Sequence, residues 1–311
     1  MSTADTLLAA QTARFERVDP LLPPAAPPPD GDVLTAALPD GERVAGVVVR
    51  DRYEDGTAPT LWSAREVWEL HPLLGEAGGD GGAGMDLLLR DLRRMLERGS
   101  PGCDSACLVT WPSRDVAATG PLLAHGLAPL STLAVRTEPA GAESGAEDLT
   151  VRLATTWDLV VALDLELAEL AYSARVGAAI ERPDARRIKR AALVRHLEQG
   201  DPVWLAERDG VVVGLAHGRV IDVRPGSTMA TRLRAGRWGY VNCVSVRAEA
   251  RGTGVGRHLM AVAHEELARR GATGTFLYYN PPNPLASVFW PRLGYRPLWT
   301  IWEVRPAAAL R

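Results

Sequence analysis

Residues 85–98 carry leucine at 87, 88, 89, 92 and 96 with charges interleaved, the spacing of an amphipathic helix, and Gly99 closes the run. Helical patterning also covers 157–174, 185–197 after the start signal Pro183-Asp184, and 255–270, where Leu259, Val262, Ala263 and Leu267 share one face. Residues 3–18 have helical composition, and 116–125 and 285–293 read as short helices, the first ended by Gly126. Strand-like runs fall at 32–38 and 44–50, joined by Pro39-Asp40-Gly41, and at 105–111 and 131–136. Further runs fall at 149–153, 203–207 and 211–220, the last two joined by Arg208-Asp209-Gly210, and at 240–246, 275–279 and 297–304. The pattern predicts an α/β protein with a mixed, mainly antiparallel sheet.

At 311 residues the chain is long enough for two ordinary domains. Residues 20–29 hold six prolines, which forbid helix and predict a tether or wrapped arm. Residues 138–148 are rich in Ala, Gly and Glu and mark the best linker. We therefore divide the chain into an N-terminal helix and Pro-rich arm (1–30), a first domain (31–137), the linker (138–148) and a second domain (149–311). The formal net charge is −3, so there is no cationic field to hold a phosphate backbone, and nucleic acid is not expected as a partner. No basic leader and no apolar run of about 18 residues occurs, which predicts a cytoplasmic protein without a membrane partner. Three cysteines without a ligand-rich surrounding predict reduced thiols and no metal site.

Chemistry concentrates in Val244-Ser245-Val246 followed by Arg251-Gly252-Thr253-Gly254-Val255-Gly256-Arg257, a strand running into a glycine turn that opens a helix. Such a turn aims several backbone N–H groups at one point, and the helix dipole adds about half a positive charge there, so a phosphate or diphosphate is favoured. A dinucleotide-binding unit would place the loop after the first strand, and a Walker loop would continue Lys-Ser or Lys-Thr; neither holds here.

The segment resembles the GNAT acetyltransferase superfamily, whose motif is a strand of the form L-x-V and then R/Q-x-x-G-x-G/A before a helix. Val244, Val246, Arg251, Gly254 and Gly256 match it, and Asn283, Ala286, Phe289-Trp290 and Gly294-Tyr295 match a second family pattern. The resemblance covers about 149–305. It implies acetyl-CoA as co-substrate, lying in a V-shaped split between the fourth and fifth strands. The diphosphate would rest on Arg251, Gly252, Thr253, Gly254, Val255, Gly256 and Arg257, and the pantetheine arm along Val244, Ser245 and Val246, with Asn283 and Trp290 also near the cofactor. The family's usual acid is a tyrosine at the position of Trp290, and its usual base a glutamate at the positions of Tyr240 and Asn242. Either the CoA thiolate therefore leaves unprotonated or Tyr278, Tyr279 or Ser287 supplies the proton, and the base is expected as a water chain anchored by Asn242, with Tyr240 beside it. His217 reads as a satisfied sheet histidine rather than a base.

Tyr172, Glu181, Trp238 and Tyr278 are expected to bound the acceptor, with an aromatic wall suited to a small amine. Residues 31–136 resemble a worn copy of the same fold: 79–84 mirrors the glycine loop, with Gly79 where the family has Arg or Gln, and Asp80 repels phosphate. The expected architecture is two GNAT-like domains in tandem, the second catalytic and the first a scaffold, in a monomer or homodimer. The expected activity is N-acetylation of a small-molecule amine. A protein or peptide acyltransferase and a catalytically silent acyl-CoA sensor are the alternatives.

Overall fold

Two halves of the chain repeat one order of elements, and their sheets are joined edge to edge through exchanged strands. The computed structural model describes residues 3–75, 82–138 and 148–311. The first half runs α1 (Thr3–Val18), β1 (Asp32–Ala37), β2 (Arg43–Arg52), β3 (Glu66–Leu73), α2 (Gly82–Gly99), β4 (Ser105–Pro112), α3 (Thr119–Ala124) and β5 (Ala128–Arg136). The second runs β6 (Thr150–Leu153), α4 (Leu159–Arg175), α5 (Ala185–Glu198), β7 (Val203–Arg208), β8 (Val211–Val223), β9 (Gly236–Val246), α6 (Val255–Arg269), β10 (Gly274–Tyr279), α7 (Ala286–Arg292) and β11 (Arg296–Val304). The expected linker and the glycines at 79–81 lie largely or wholly outside the described residues, so only Gly82 to Gly84, the first turn of α2, can be placed.

All the strands form one 11-stranded sheet in the order β1-β2-β3-β4-β11-β5-β10-β9-β8-β7-β6. The parallel pairs β3–β4 and β9–β10 occupy matching places in the two halves. Each half's last strand crosses to the other half: β11 pairs with β4, β5 pairs with β10, and β5 and β11 pair with each other at the centre. Sequence periodicity could not show this, because a strand's alternation is the same whichever edge it joins.

The core follows the patterning. In α2, Leu88, Leu89 and Leu92 are fully buried against Val44, Leu70 and Val109; each such side chain contributes about 1.5–3 kcal/mol. In the second half, alternate residues of β7 and β8 face opposite helices. Leu205 and Leu215 pack with Leu163 and Leu193 of α4 and α5, whereas Trp204 and Ala216 pack with Leu259 and Met260 of α6.

Several expectations are corrected. Strand β3 was absent from the sequence reading, because His71 and Pro72 interrupt its apolar run. The expected helix over 116–125 divides into a 3-10 turn at Val116–Ala118 and the short α3. Strand β9 begins at Gly236 rather than 240, and β8 extends to Val223. The Pro-rich arm is wrapped rather than free. Leu22 is completely buried, its carbonyl accepts from Arg234 Nε (3.1 Å), and the buried Asp19 pairs with Arg296 (2.9 Å). Burial alone would raise the Asp19 carboxyl, but the Arg296 guanidinium and the Leu21 amide outweigh it and hold the carboxyl below its usual range.

A 3-10 turn precedes the inner strand of each half, Ala58–Leu61 before β3 and Thr228–Thr231 before β9. The first is covered by the second half: Leu61 packs with Leu170, Ala179 and Ile188, its carbonyl accepts from the Ile180 amide (2.9 Å), and Arg182 donates to Asp104 (2.8 Å). The hydrogen bond from Arg182 is the largest influence on Asp104 and holds its carboxyl at about 2. The arm covers the second turn reciprocally, with Leu22 and Leu233 in one core.

Candidate active site

The pairing of β9 with β10 runs from Trp238–Gly274 to Val241–Leu277 and stops there. Strand β9 continues through Val246, so residues 242–246 have no β10 neighbour, and the two strands part. A β-bulge sits at the point of parting. His217 faces Cys243 and Gly218 faces Val241, which leaves Asn242 as the extra residue. Gly218 suits this place because a Cβ there would run into the Tyr240 carbonyl.

Beyond the split, Gly252 (φ 78°) and Gly254 (φ 90°) adopt the left-handed conformation, and Gly254 is the N-cap of the 15-residue α6. A Cβ on either glycine would meet nothing within 4 Å, so the approach to these amides is open. Both glycines stand in the left-handed conformation at the positive end of the α6 dipole, with open space beside them. This arrangement fits a diphosphate. The loop is braced from several sides. Arg251 Nε donates to the Val246 carbonyl (3.1 Å) while its guanidinium lies 5.4 Å from the Tyr172 ring centre. Arg208 Nη1 donates to Thr253 Oγ1 (3.1 Å), and Gly256 lies beneath Phe289, whose ring a Cβ would approach to 3.3 Å.

The remaining expected residues divide into those near the split and those absorbed by packing. The Tyr240 hydroxyl donates to Asn242 Oδ1 (2.9 Å), its ring stacks on Phe276 at 4.8 Å, and Tyr278 stands edge-on to it at 6.4 Å. Burial raises both phenols, so neither is an anion at neutral pH. Tyr278 is 39% exposed, and Glu181 is exposed on the loop between α4 and α5. Tyr279 lies opposite Thr132 of β5, with its phenol raised by burial, and Ser287 Oγ donates to the Pro281 carbonyl (2.7 Å). Asn283 uses Oδ1 to accept the amides of Leu285 and Ala286 (3.0 and 3.1 Å), capping α7. Two tryptophans lie in the core instead of on an open wall. Trp238 is 8% exposed and donates Nε1 to the Arg234 carbonyl (3.0 Å), and Trp290 is 9% exposed, packed edge-on to Tyr295.

A polar cluster behind Asn242 went unread in the sequence. Glu166 of α4, 2% exposed, lies 2.9 Å from Lys189 Nζ of α5 and 3.0 Å from His217 Nε2 of β8. Asn242 Nδ2 is 3.5 Å from the same His217 nitrogen. Burial would raise the Glu166 carboxyl, but His217 and Lys189 together overcome it and hold it at about 2. The signal available was Glu166 and Glu169 one turn apart in an apolar helix and Lys189 in the next helix, but three elements had to be assembled to link them. Among the described residues no group of three potential metal ligands occurs, and no helix is long and apolar enough to cross a membrane.

The split strands and the glycine loop stand together at the N-terminus of α6. Residues 166–295 match the model of the Acetyltransferase (GNAT) family. No curated protein matches the sequence. The chain is similar in structure to a GCN5-related N-acetyltransferase from Sphaerobacter thermophilus, with 16% identity and a TM-score of 0.57, over 98% of this chain and 92% of that one. It is also similar to a tandem GNAT protein from the clavulanic acid biosynthesis pathway, with 15% identity, TM-score 0.47, and 97% and 96% of the chains covered. A GCN5-related N-acetyltransferase from Kribbella flavida is 17% identical over the whole of both chains, with a TM-score of 0.43.

Proposed function

We propose that the second half transfers an acetyl group from acetyl-CoA to a primary amine of a small molecule, by direct attack in a ternary complex. The observation that carries this reading is the parting of β9 from β10 after Val241, directly before a glycine loop whose amides are open. Residues 251–257 would hold the diphosphate, and the unpaired edge of Val244, Ser245 and Val246 would pair with the pantetheine arm. A backbone N–H on that edge would stabilise the oxyanion, an effect of roughly 3 kcal/mol per donor. The amine nitrogen would bond to the thioester carbonyl carbon to give the tetrahedral oxyanion, whose collapse breaks the C–S bond, and the departing thiolate takes one proton.

Tyr240 is the favoured donor of that proton, because its hydroxyl stands beside Asn242 where β9 leaves β10, whereas Ser287 Oγ donates to the Pro281 carbonyl. Water held at Asn242 would take the proton that the substrate's ammonium form must lose before its nitrogen can attack. Tyr172, Glu181 and Tyr278 remain the proposed acceptor boundary, whereas the burial of Trp238 and Trp290 speaks for a structural role.

The first half is proposed as a scaffold rather than a second active site. It pins the 176–184 loop through Leu61 and Asp104, which supports a small acceptor over an extended peptide. The exchanged strands pair the two halves within one chain, as two copies of a homodimer would pair, and the proposed state is a monomer or homodimer. Thiol release from acetyl-CoA, measured with panels of small primary amines and of peptides, tests the reading. Faster release with small amines supports it. Preference for peptides, or acetyl-CoA binding without release by any amine, would replace it with one of the alternatives.

A further inference from the structure

Strand β3 parts from β4 as β9 parts from β10. The first pairing ends at Leu70–Val109 and the second at Val241–Leu277, and β3 and β9 both run on without that neighbour. The strands on their other sides fix the correspondence past this point. Leu70 faces Val48 and Pro72 faces Gly46, whereas Val241 faces Gly218 and Val244 faces Ala216, Asn242 being the extra residue. Pro72 and Leu74 therefore stand where Val244 and Val246 stand in the second half, the stretch proposed to pair with the pantetheine arm. In the first half that place is taken. Gln11 of α1, 3% exposed, donates from Nε2 to the Pro72 carbonyl (2.8 Å), and its Oε1 accepts the amides of Leu74 (2.8 Å) and Gly75 (3.2 Å). A residue of a parallel strand placed opposite Leu73 would likewise donate to the Pro72 carbonyl and accept the Leu74 amide, so one side-chain amide stands in for a strand.

We propose that α1 is the resident ligand of the first half: its Gln11 amide holds the backbone groups that correspond to those offered to pantetheine in the second half, and the helix closes that split to acyl-CoA. The same helix also grips the opposite wall. Phe15 stands edge-on to Trp111 of β4 at 5.8 Å and to Trp299 of β11 at 5.4 Å. Arg14 donates from Nε and Nη2 to the Asp115 carboxylate (2.7 and 3.1 Å), and Trp111 Nε1 donates to the same group (3.1 Å), with Arg14 and Asp115 both buried. Gly75, at φ 60°, leaves no side chain between the end of β3 and Leu7 of α1, which a Cβ would approach to 3.2 Å. The consequence is one acyl-CoA per chain, although the fold occurs twice.

The inference rests on the acyl-CoA reading of the second half, and its test keeps the two apart. Calorimetry of the full chain with CoA is expected to give one equivalent bound. Amide hydrogen exchange, followed by nuclear magnetic resonance on the ¹⁵N-labelled chain, is expected to slow between Val244 and Val246 when CoA is added and to stay unchanged at Leu74 and Gly75. Gln11→Met keeps the length of the side chain and loses its amide. This variant is expected to speed exchange at Leu74 and Gly75 by about tenfold or more, and to leave the stretch from Val244 to Val246 as it was. Two equivalents of bound CoA, protection of Leu74 or Gly75 by CoA, or unchanged exchange at these amides in Gln11→Met would each overturn the proposal. If Gln11→Met fails to fold, the stoichiometry and protection pattern of the wild type decide alone. A wild type that binds no CoA defeats the acyl-CoA assignment, while exchange in Gln11→Met still decides whether Gln11 holds the first split.

Discussion

A single buried carboxylate ties the helices of the second half to its sheet. Glu166 has lost its water, and its ionised form survives because Lys189 and His217 stand within 3.0 Å. Its carboxyl sits at about 2 in the folded chain against an ordinary 4.5. A depressed carboxyl stabilises the fold fully above its unfolded value and loses that contribution as pH falls from 4.5 towards 2. The difference corresponds to stabilisation on the order of 3 kcal/mol. Glu166→Gln should therefore destabilise the protein by about 3 kcal/mol at pH 7 in urea denaturation, with the gap to wild type narrowing below about pH 4.5. A gap that holds constant to about pH 3 would contradict the coupling. Local patterning shows glutamates in an apolar helix and a lysine in the next, but not that they meet His217. Glu166 and His217 are ordinary residues of a helix and a strand until α4 is laid across β8, whereas Gly252 and Gly254 announce their φ in the sequence because only glycine adopts it readily.

Among the elements, strand β9 does the most to make a cleft. Its bulge at Asn242 needs the bare backbone of Gly218 opposite, and β10 must stop pairing one step earlier. Gly218→Ala should push β8 from β9, lower stability by about 1–3 kcal/mol, and reduce thiol release more than CoA affinity; a neutral effect on the melting temperature and on release would argue that the bulge is incidental. The helices α2 and α6 and the strands around the glycine loop were legible, because apolar period and turn residues are local signals. Strand β3 was hidden by His71 and Pro72. The repeated 3-10 turns before β3 and β9 went unnoticed because their residues, Ala58–Leu61 and Thr228–Thr231, share little beyond shape.

At the scale of the whole molecule, neither half completes its own sheet. Strand β5 lies against β10 and β11 lies against β4, so backbone hydrogen bonds cross the junction from both sides. This exchange depends on pairing between segments far apart in sequence, and strand patterning is silent about partners. A chain opened by a protease site inserted between residues 138 and 148 should therefore keep its two pieces together through size-exclusion chromatography without denaturant. Separate elution of folded halves would contradict the interleaved sheet.

In the proposed site the amides of the α6 glycine loop hold the diphosphate of an acyl-CoA beside parted strands. Titration calorimetry with CoA, comparing the wild type with Gly254→Asp, tests it most directly. The carboxylate would stand where the phosphate charge must lie, in a place where the backbone leaves space for a side chain. The account predicts saturable binding by the wild type and none by a variant that still melts cooperatively; equal binding by both would contradict it.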